Sequence, residues 1–215
     1  MSERPQQHLI MAAMGFGIIL LIIAFLKQSN PLTNHSKSVE TLPVISKIPS
    51  FTLTNQAGVK FTERDLTGKY WIADIVFTRC AGPCPDMTRK MADLQKRLFT
   101  IRDIGFLTLT TDPENDTPDV MAAFAKTFGA DTNSWTFLTG NKTDIARLAV
   151  DGLKLVAIEQ SVADRANPAD LFIHSTLFVL LDSKGQLRGS VESDSADHQE
   201  QLQKMIDQLR KERRP

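Results

Sequence analysis

The chain is poor in cysteine and has no excess of charge of either sign. Among its 215 residues only Cys80 and Cys84 are cysteines, and 25 lysines and arginines are balanced by 25 aspartates and glutamates. A closed structural zinc site needs four ligands, usually from two cysteine pairs, so a single pair argues against one. A balanced charge argues against a nucleic-acid-binding surface. There is no internal repeat and no long low-complexity segment, and the composition is otherwise that of an ordinary globular protein.

The N-terminal part contains the one long apolar run. Leu9 to Leu26 carries no charge, and as a helix at about 1.5 Å per residue it would span about 27 Å, close to the hydrocarbon thickness of a bilayer. A cleaved signal peptide would have a shorter apolar core and a small-x-small cleavage site, which is not found after this run. We therefore expect a cytoplasmic stub at 1–8, an uncleaved transmembrane anchor at 9–26, a polar linker at 27–45 and a folded domain at 46–215.

In the domain, apolar strand patterns alternate with helical patterns. We predict a hairpin over 51–61, strands near 70–77, 104–110, 135–138, 155–158, 174–182 and 187–191, and helices near 84–98, 119–128, 141–150 and 197–211. This alternation predicts an α/β protein with a central mixed sheet flanked by helices. A strand that leads through a cysteine loop into a helix is the layout of the thioredoxin-like fold, with a ligand crevice expected at the carboxyl end of that strand.

Both cysteines lie in that loop, between the buried strand and the helix. The positive end of a helix favours a thiolate over a thiol, and the thiolate is both the nucleophile and the ligand of soft metals. Cys80 and Cys84 are separated by three residues, one more than in a thioredoxin-type redox site. Two cysteines this close can form a disulfide, hold a metal ion, or do each in turn.

His174 precedes an apolar strand, whereas His8, His35 and His198 lie in the stub, the linker and a helix start. A lone histidine in such a place is more often structural than a ligand. Together with two thiolates, however, an imidazole would complete a three-coordinate soft site that suits copper or zinc. If the cysteines instead carry out thiol chemistry, His174 is a proton shuttle or a spectator.

Other polar or sulfur-bearing residues near the cysteines have simpler interpretations. Met87 and Met91, at helical spacing, are interpreted as core residues rather than as thioether ligands. Asp74 interrupts the central strand and is either a buried carboxylate that assists thiol chemistry or an edge-facing residue. Asp112 and Asp116 are expected to be solvated turn and cap residues.

Four segments together resemble the Sco (SenC/PrrC-like) family. They are Phe77-Thr-Arg-Cys-Ala-Gly-Pro-Cys-Pro, Thr111-Asp-Pro-Glu-Asn-Asp-Thr-Pro, Trp135-Thr-Phe-Leu-Thr-Gly, and His174-Ser-Thr-Leu-Phe-Val-Leu-Leu-Asp with Gly185 after it. The resemblance covers about residues 45–210, with the order and similar spacing of the family. It implies a thioredoxin-like domain on the outer side of an energy-transducing membrane.

The resemblance also implies a function. Members of this family bind copper through two cysteines and a distal histidine, which here are Cys80, Cys84 and His174. They serve assembly of the dinuclear copper centre of cytochrome c oxidase, so the implied partners are the copper-bearing subunit of the oxidase, an upstream copper donor and a thiol reductant. We expect Cu(I), with Cu(II) as the other state, and a single-pass protein of the bacterial inner membrane with its domain in the periplasm.

A second hypothesis is an enzymatic one, a thiol-disulfide oxidoreductase that reduces the cysteines of a periplasmic client. It needs only the dithiol of Cys80 and Cys84, with one exposed attacking thiolate. Metal binding should depend strongly on His174, whereas disulfide reduction should depend on it weakly.

Overall fold

A computed structural model describes Ile23, residues 41–159 and residues 172–213, and of residues 157–159 and 172–174 only the backbone. In these residues the main sheet has the strand order β1-β10-β9-β4-β5-β6-β2-β3, and β7 and β8 form a second sheet of two strands. The strands are β1 (Ser46–Lys47), β2 (Thr52–Asn55), β3 (Lys60–Thr62), β4 (Tyr70–Val76), β5 (Ile104–Thr110), β6 (Trp135–Thr139), β7 (Ala157–Glu159), β8 (Phe172–His174), β9 (Leu177–Leu181) and β10 (Gln186–Glu192).

The described helices cover the two faces of the main sheet. They are α1 (Cys84–Arg97), α2 (Pro118–Thr127), α3 (Lys142–Arg147) and α4 (His198–Arg213), with a 3-10 turn at Glu63–Leu66 and a π-helical turn at Leu148–Leu153. Because side chains alternate along a strand, Ile72 of β4 packs with residues of α1, α2 and α4, whereas Trp71 and Ile75 pack with residues of α3 and the π-helical turn. The mixed sheet flanked by helices confirms that part of the predicted fold.

The register of the central strands brings several chain segments to one edge of the sheet. β4 and β5 are parallel, with Val76 opposite Thr110, so the segments that follow the two strands leave at the same edge. β9 is antiparallel to β4 and pairs Val179 with Ala73, so the beginning of β9 lies near the end of β4. The cysteine loop, the segment after β5 and the residues before β9 therefore meet at this edge, which we call the carboxyl edge of β4.

Local sequence signals explain most element boundaries. The predicted hairpin is confirmed, since β2 pairs with β3 across a turn in which Gly58 has a φ of 75°. Helix α2 has a local start signal, because Thr117 accepts a hydrogen bond from the amide of Val120 and Pro118 lies in the first turn. Met87 and Met91 are fully buried in the core, as expected.

Two predicted elements differ from the structure. The strand expected over 174–182 is two strands, because β8 ends at His174 and pairs with β7, and β9 begins at Leu177 in the main sheet. The helix expected over 141–150 changes at Leu148 into the π-helical turn, which ends at Leu153 and is followed by Lys154 with a φ of 58°. Both differences are decided by pairing with distant parts of the chain, which a local pattern does not contain.

Residues 41–45 lie against β10 and α4. The guanidinium of Arg188 donates hydrogen bonds to the carbonyl oxygens of Leu42 and Pro43 at 2.5 and 3.2 Å. It also forms ion pairs with Asp182 at 2.9 Å and Glu212 at 2.6 Å. This buried arginine therefore ties the segment that enters the domain to both the sheet and the last helix.

The predicted stub and the 9–26 anchor, apart from Ile23, lie outside the described residues, as does the linker up to residue 40. Among the residues that are described, no helix combines the length and the hydrophobicity needed to cross a membrane.

Candidate functional site

The cysteine loop connects a fully buried strand to a helix. β4 is buried along its whole length, and Phe77 after it is also buried. The amide of Cys80 donates to the carbonyl of Phe77 at 3.2 Å, which turns the chain outward. Cys84 begins α1, with Pro85 in its first turn, where a missing N–H costs nothing. Residues 81–83 between the two cysteines are exposed, so the loop lies open at the carboxyl edge of β4.

The two thiols are adjacent but unequal. Neither cysteine is in a disulfide bond. Cys84 is fully buried beside Val76 and Phe77, and Cys80 is partly exposed. The hydrogen bond that the Cys84 thiol donates to Cys80, followed by burial, raises the pKa of Cys84 far above its usual range. The expectation that the helix N-terminus favours a thiolate is therefore wrong for Cys84, because hydrogen bonding and burial outweigh the helix dipole.

The sulfur of Cys80 accepts two hydrogen bonds, from the Cys84 thiol and from the amide of Gly82 at 3.3 Å. Hydrogen bonds to a sulfur stabilise its charged form, and exposure gives it access to a reaction partner. Cys80 is therefore the outer sulfur, which a reaction partner can reach, and Cys84 is the inner one.

This asymmetry predicts selective alkylation. With iodoacetamide at pH 8 under anaerobic conditions, Cys80 should react at least about a hundred times faster than Cys84, because only the thiolate reacts and Cys84 is buried with a raised pKa. Tandem mass spectrometry of the tryptic peptide that begins at Cys80 localises the label. In guanidinium chloride the two rates should become similar, and equal rates in the folded protein would contradict the assignment.

The segment after β5 holds the cysteine loop in place. Asp116 is fully buried and accepts hydrogen bonds from the amide and the hydroxyl of Thr78, at 3.1 and 2.5 Å, and from the hydroxyl of Thr110. Asp112, which is also buried, pairs with Arg79 at 2.6 Å. Two carboxylates thus bind the two residues directly before Cys80.

The expectation that Asp112 and Asp116 are solvated turn and cap residues is wrong, because both carboxylates point into the cysteine loop. A signal for this role was present in the sequence. The polar segment follows the strand next in order after the cysteine-bearing one, and in a parallel sheet two such segments leave at the same edge.

Asp74 lies on the same face of β4 as Val76, the face covered by α1. It is fully buried and accepts a hydrogen bond from the hydroxyl of Thr108 at 2.7 Å. That hydroxyl in turn accepts one from the indole N–H of Trp135 at 2.9 Å. The edge-facing interpretation of Asp74 is therefore wrong. The charge of Asp74 contributes to the raised pKa of Cys84, and a role in thiol chemistry stays a prediction.

His174 is the last residue of β8 and lies three residues before β9. Since β9 begins near the carboxyl edge of β4, the backbone brings His174 towards the edge at which Cys80 and Cys84 lie. Its side chain is outside the described part of the structure. Among the side chains that are described, no group of three or more metal-binding residues is found, so the described donor set consists of the two thiols.

The adjacent thiols of Cys80 and Cys84 form a donor pair that is suited to binding a soft metal ion. Sulfur donors of this kind select Cu(I) or zinc over hard cations, and an added imidazole suits copper as well as zinc. Binding requires both cysteines to be reduced and to lose their protons.

Comparison with known proteins identifies relatives across most of the chain. Residues 40–211 match the family model described as SCO1/SenC. The SCO1 protein homolog of Bacillus subtilis (strain 168) is 32% identical over 147 residues, which are 67% of this chain and 73% of that protein. The structure of a SCO1/SenC family lipoprotein from Bacillus anthracis str. Ames is 32% identical, with a TM-score of 0.68 over 78% of this chain and 96% of that one.

Two further structures share the fold. BsSco, in which a disulfide switch was identified and which is a member of the Sco family of cytochrome c oxidase assembly proteins, is 28% identical, with a TM-score of 0.66 over 79% of this chain and 97% of that one. Bradyrhizobium japonicum ScoI, solved with copper bound, is 20% identical, with a TM-score of 0.62 over 77% of this chain and 99% of that one.

Proposed function

The chain belongs to the SCO1/SenC family, and from that premise we propose that it is a membrane-anchored copper-binding protein that assists assembly of the dinuclear copper centre of cytochrome c oxidase. Two relatives support this function: BsSco is a member of a family of oxidase assembly proteins, and ScoI was solved with copper bound. Copper is here the cargo of the protein, received from a donor and passed to the copper-bearing subunit of the oxidase.

The proposed ligands are Cys80, Cys84 and His174. This proposal rests on the hydrogen-bonded thiol pair at the carboxyl edge of β4. The backbone of His174, at the end of β8, lies towards the same edge. Thiolate donors favour Cu(I), and a three-coordinate site needs no further protein ligand. Cu(II) is the alternative state of the same site.

The proposed location is the bacterial inner membrane, with the anchor at 9–26 as the only span, 1–8 in the cytoplasm, and the linker and domain in the periplasm. This location rests on the apolar run from Leu9 to Leu26. A vicinal dithiol oxidises easily in such a compartment, so the function also needs a thiol reductant that keeps Cys80 and Cys84 reduced.

Anaerobic titration with Cu(I) against a competing chelator tests the ligand set. The reduced full chain in detergent should bind one ion, and His174→Ala, Cys80→Ser and Cys84→Ser should each weaken binding by more than about a hundredfold. Loss of a residue that only orients a ligand already costs about 10–100-fold, and loss of a ligand should cost more.

His35→Ala is the matched control, because it removes a histidine from the predicted linker and should leave the affinity unchanged. Weak Cu(I) binding by the wild type, or an affinity that does not change in His174→Ala, would contradict the copper proposal.

The inequality of the two thiols favours a second candidate, a thiol-disulfide oxidoreductase. The Cys80 thiolate attacks a client disulfide, forms a mixed disulfide and expels one client thiolate. Cys84 then attacks the sulfur of Cys80, which forms the Cys80–Cys84 disulfide and releases the second client thiol. The dithiol thereby supplies the two electrons, and an upstream reductant must restore it.

The two candidate functions differ in how strongly they depend on His174. If the chain is a thiol-disulfide oxidoreductase, the His174→Ala variant should reduce a disulfide peptide at nearly the wild-type rate, whereas the Cys80→Ser variant should be inactive. If copper delivery alone is correct, the wild type should show no turnover with the peptide in the presence of a reductant.

A further inference from the structure

Ser175 connects the two sheets directly after the proposed ligand His174. β7 and β8 pair Ala157 with His174, and the next pair in the same register is Val156 with Ser175. In that pair the amide of Ser175 donates to the carbonyl of Val156 at 2.9 Å, as in an ordinary antiparallel ladder. The amide of Val156, however, donates to the hydroxyl of Ser175 at 2.9 Å rather than to its carbonyl.

Because the side-chain hydroxyl of Ser175 takes the place of its carbonyl as acceptor, the chain can turn away from β7 after Ser175 while the amide of Val156 keeps a hydrogen bond. Immediately after Ser175, the carbonyl of Thr176 accepts from the amide of Ser193 at 2.8 Å, at the end of β10. β9 then begins at Leu177 in the main sheet. Ser175 is thus the last residue held by the small sheet, and Thr176 is the first held by the large one.

The partner of this bond is itself fixed to the domain. Leu155, directly before Val156, is fully buried, and its amide donates to the carbonyl of Ala149 at 2.9 Å in the π-helical turn. Val156 itself is 46% exposed, so its amide can bind water if the serine hydroxyl is removed. Loss of the hydroxyl should therefore loosen the end of the hairpin without unfolding the domain.

We propose that Ser175 is a positioning residue for His174: its hydroxyl holds the backbone pair adjacent to β7 and β8 and thereby fixes the backbone of His174 relative to Cys80 and Cys84. The inference rests on the proposed function, because it takes His174 as a copper ligand. A residue that orients a ligand in this way contributes to affinity by restricting the ligand to the bound geometry.

The test is Cu(I) competition titration of the reduced full chain with Ser175→Ala, Ser175→Thr and Ser190→Ala. Ser175→Ala should weaken binding about tenfold. Ser175→Thr retains the hydroxyl and should bind like the wild type. Ser190, an exposed serine of β10, is the matched control and should show no effect. The Tm without copper should stay unchanged in all three, and amide exchange at Val156 should accelerate in Ser175→Ala.

The double variant Ser175→Ala with His174→Ala separates positioning from a general structural role. If Ser175 acts through His174, its removal should cost nothing further in the His174→Ala background. Normal affinity of Ser175→Ala in a protein that needs His174, or a full additional loss in the double variant, would overturn the inference alone. Binding that does not depend on His174 would instead overturn the proposed function and this inference with it.

Discussion

Asp116→Ala should lower the free energy of unfolding by about 3–5 kcal/mol and also weaken Cu(I) binding by the protein that remains folded. The carboxylate is fully buried and accepts hydrogen bonds from the amide and hydroxyl of Thr78 and from the hydroxyl of Thr110. Alanine would leave three donors without this acceptor, the buried hydroxyl of Thr110 and the two partly buried donors of Thr78. Each unsatisfied buried donor costs about 1–3 kcal/mol. Urea denaturation of the reduced protein measures the first effect.

The second effect follows from the place of Thr78, two residues before Cys80. When its amide is released, the turn that presents the Cys80 thiol loses its support, and the affinity for Cu(I) should fall about 10–100-fold. Asp119→Ala is the matched control, because Asp119 is an exposed aspartate in the first turn of α2. Its effect on stability should stay within about 0.5 kcal/mol. If Asp116→Ala behaves like Asp119→Ala, the role of the buried carboxylate is wrong.

The fold was largely predictable because local pattern and tertiary structure agree along most of the chain. β4 and β5 are mostly apolar and are buried along their whole length, as parallel central strands should be. α2 carries its own start signal in Thr117 and Pro118, and the Sco resemblance is confirmed by the family match over residues 40–211. The strands and the helix start are determined by residues that are close together in the sequence, and the family resemblance rests on several motifs in a fixed order.

The remaining features depend on contacts between distant segments, which no local pattern specifies. An apolar run from Leu177 onward gave no sign that the chain changes sheets at Ser175. The burial of Asp116 requires its segment to fold against Thr78, 38 residues earlier in the chain. The raised pKa of Cys84 likewise comes from its contact with Cys80 and its burial, whereas its position at a helix start alone predicted the opposite direction.

Arg188→Ala should destabilise the domain by about 3–5 kcal/mol, because it leaves two largely buried carboxylates without their counter-charge. The side chain of Arg188 is 10% exposed, and those of its partners Asp182 and Glu212 are 7% and 14% exposed. Alanine also removes the donors to the carbonyls of Leu42 and Pro43, so residues 41–45 should lose their attachment to β10 and α4.

Arg210→Ala is the matched control, because Arg210 lies on α4, the helix that also carries Glu212. Arg210 pairs with Asp103, but both side chains are about a third exposed, at 32% and 36%, and exposed pairs contribute at most about 1 kcal/mol. Thermal or urea unfolding measures the difference in stability between the two variants, and a loss in Arg188→Ala no larger than that in Arg210→Ala would contradict the predicted role of Arg188.

Because Arg188 contacts neither the cysteine loop nor its supporting carboxylates, the Cu(I) affinity of folded Arg188→Ala should equal that of the wild type. The same combination of measurements in Asp116→Ala should show both losses, so the pair of variants separates residues that stabilise the domain from residues that also shape the metal site.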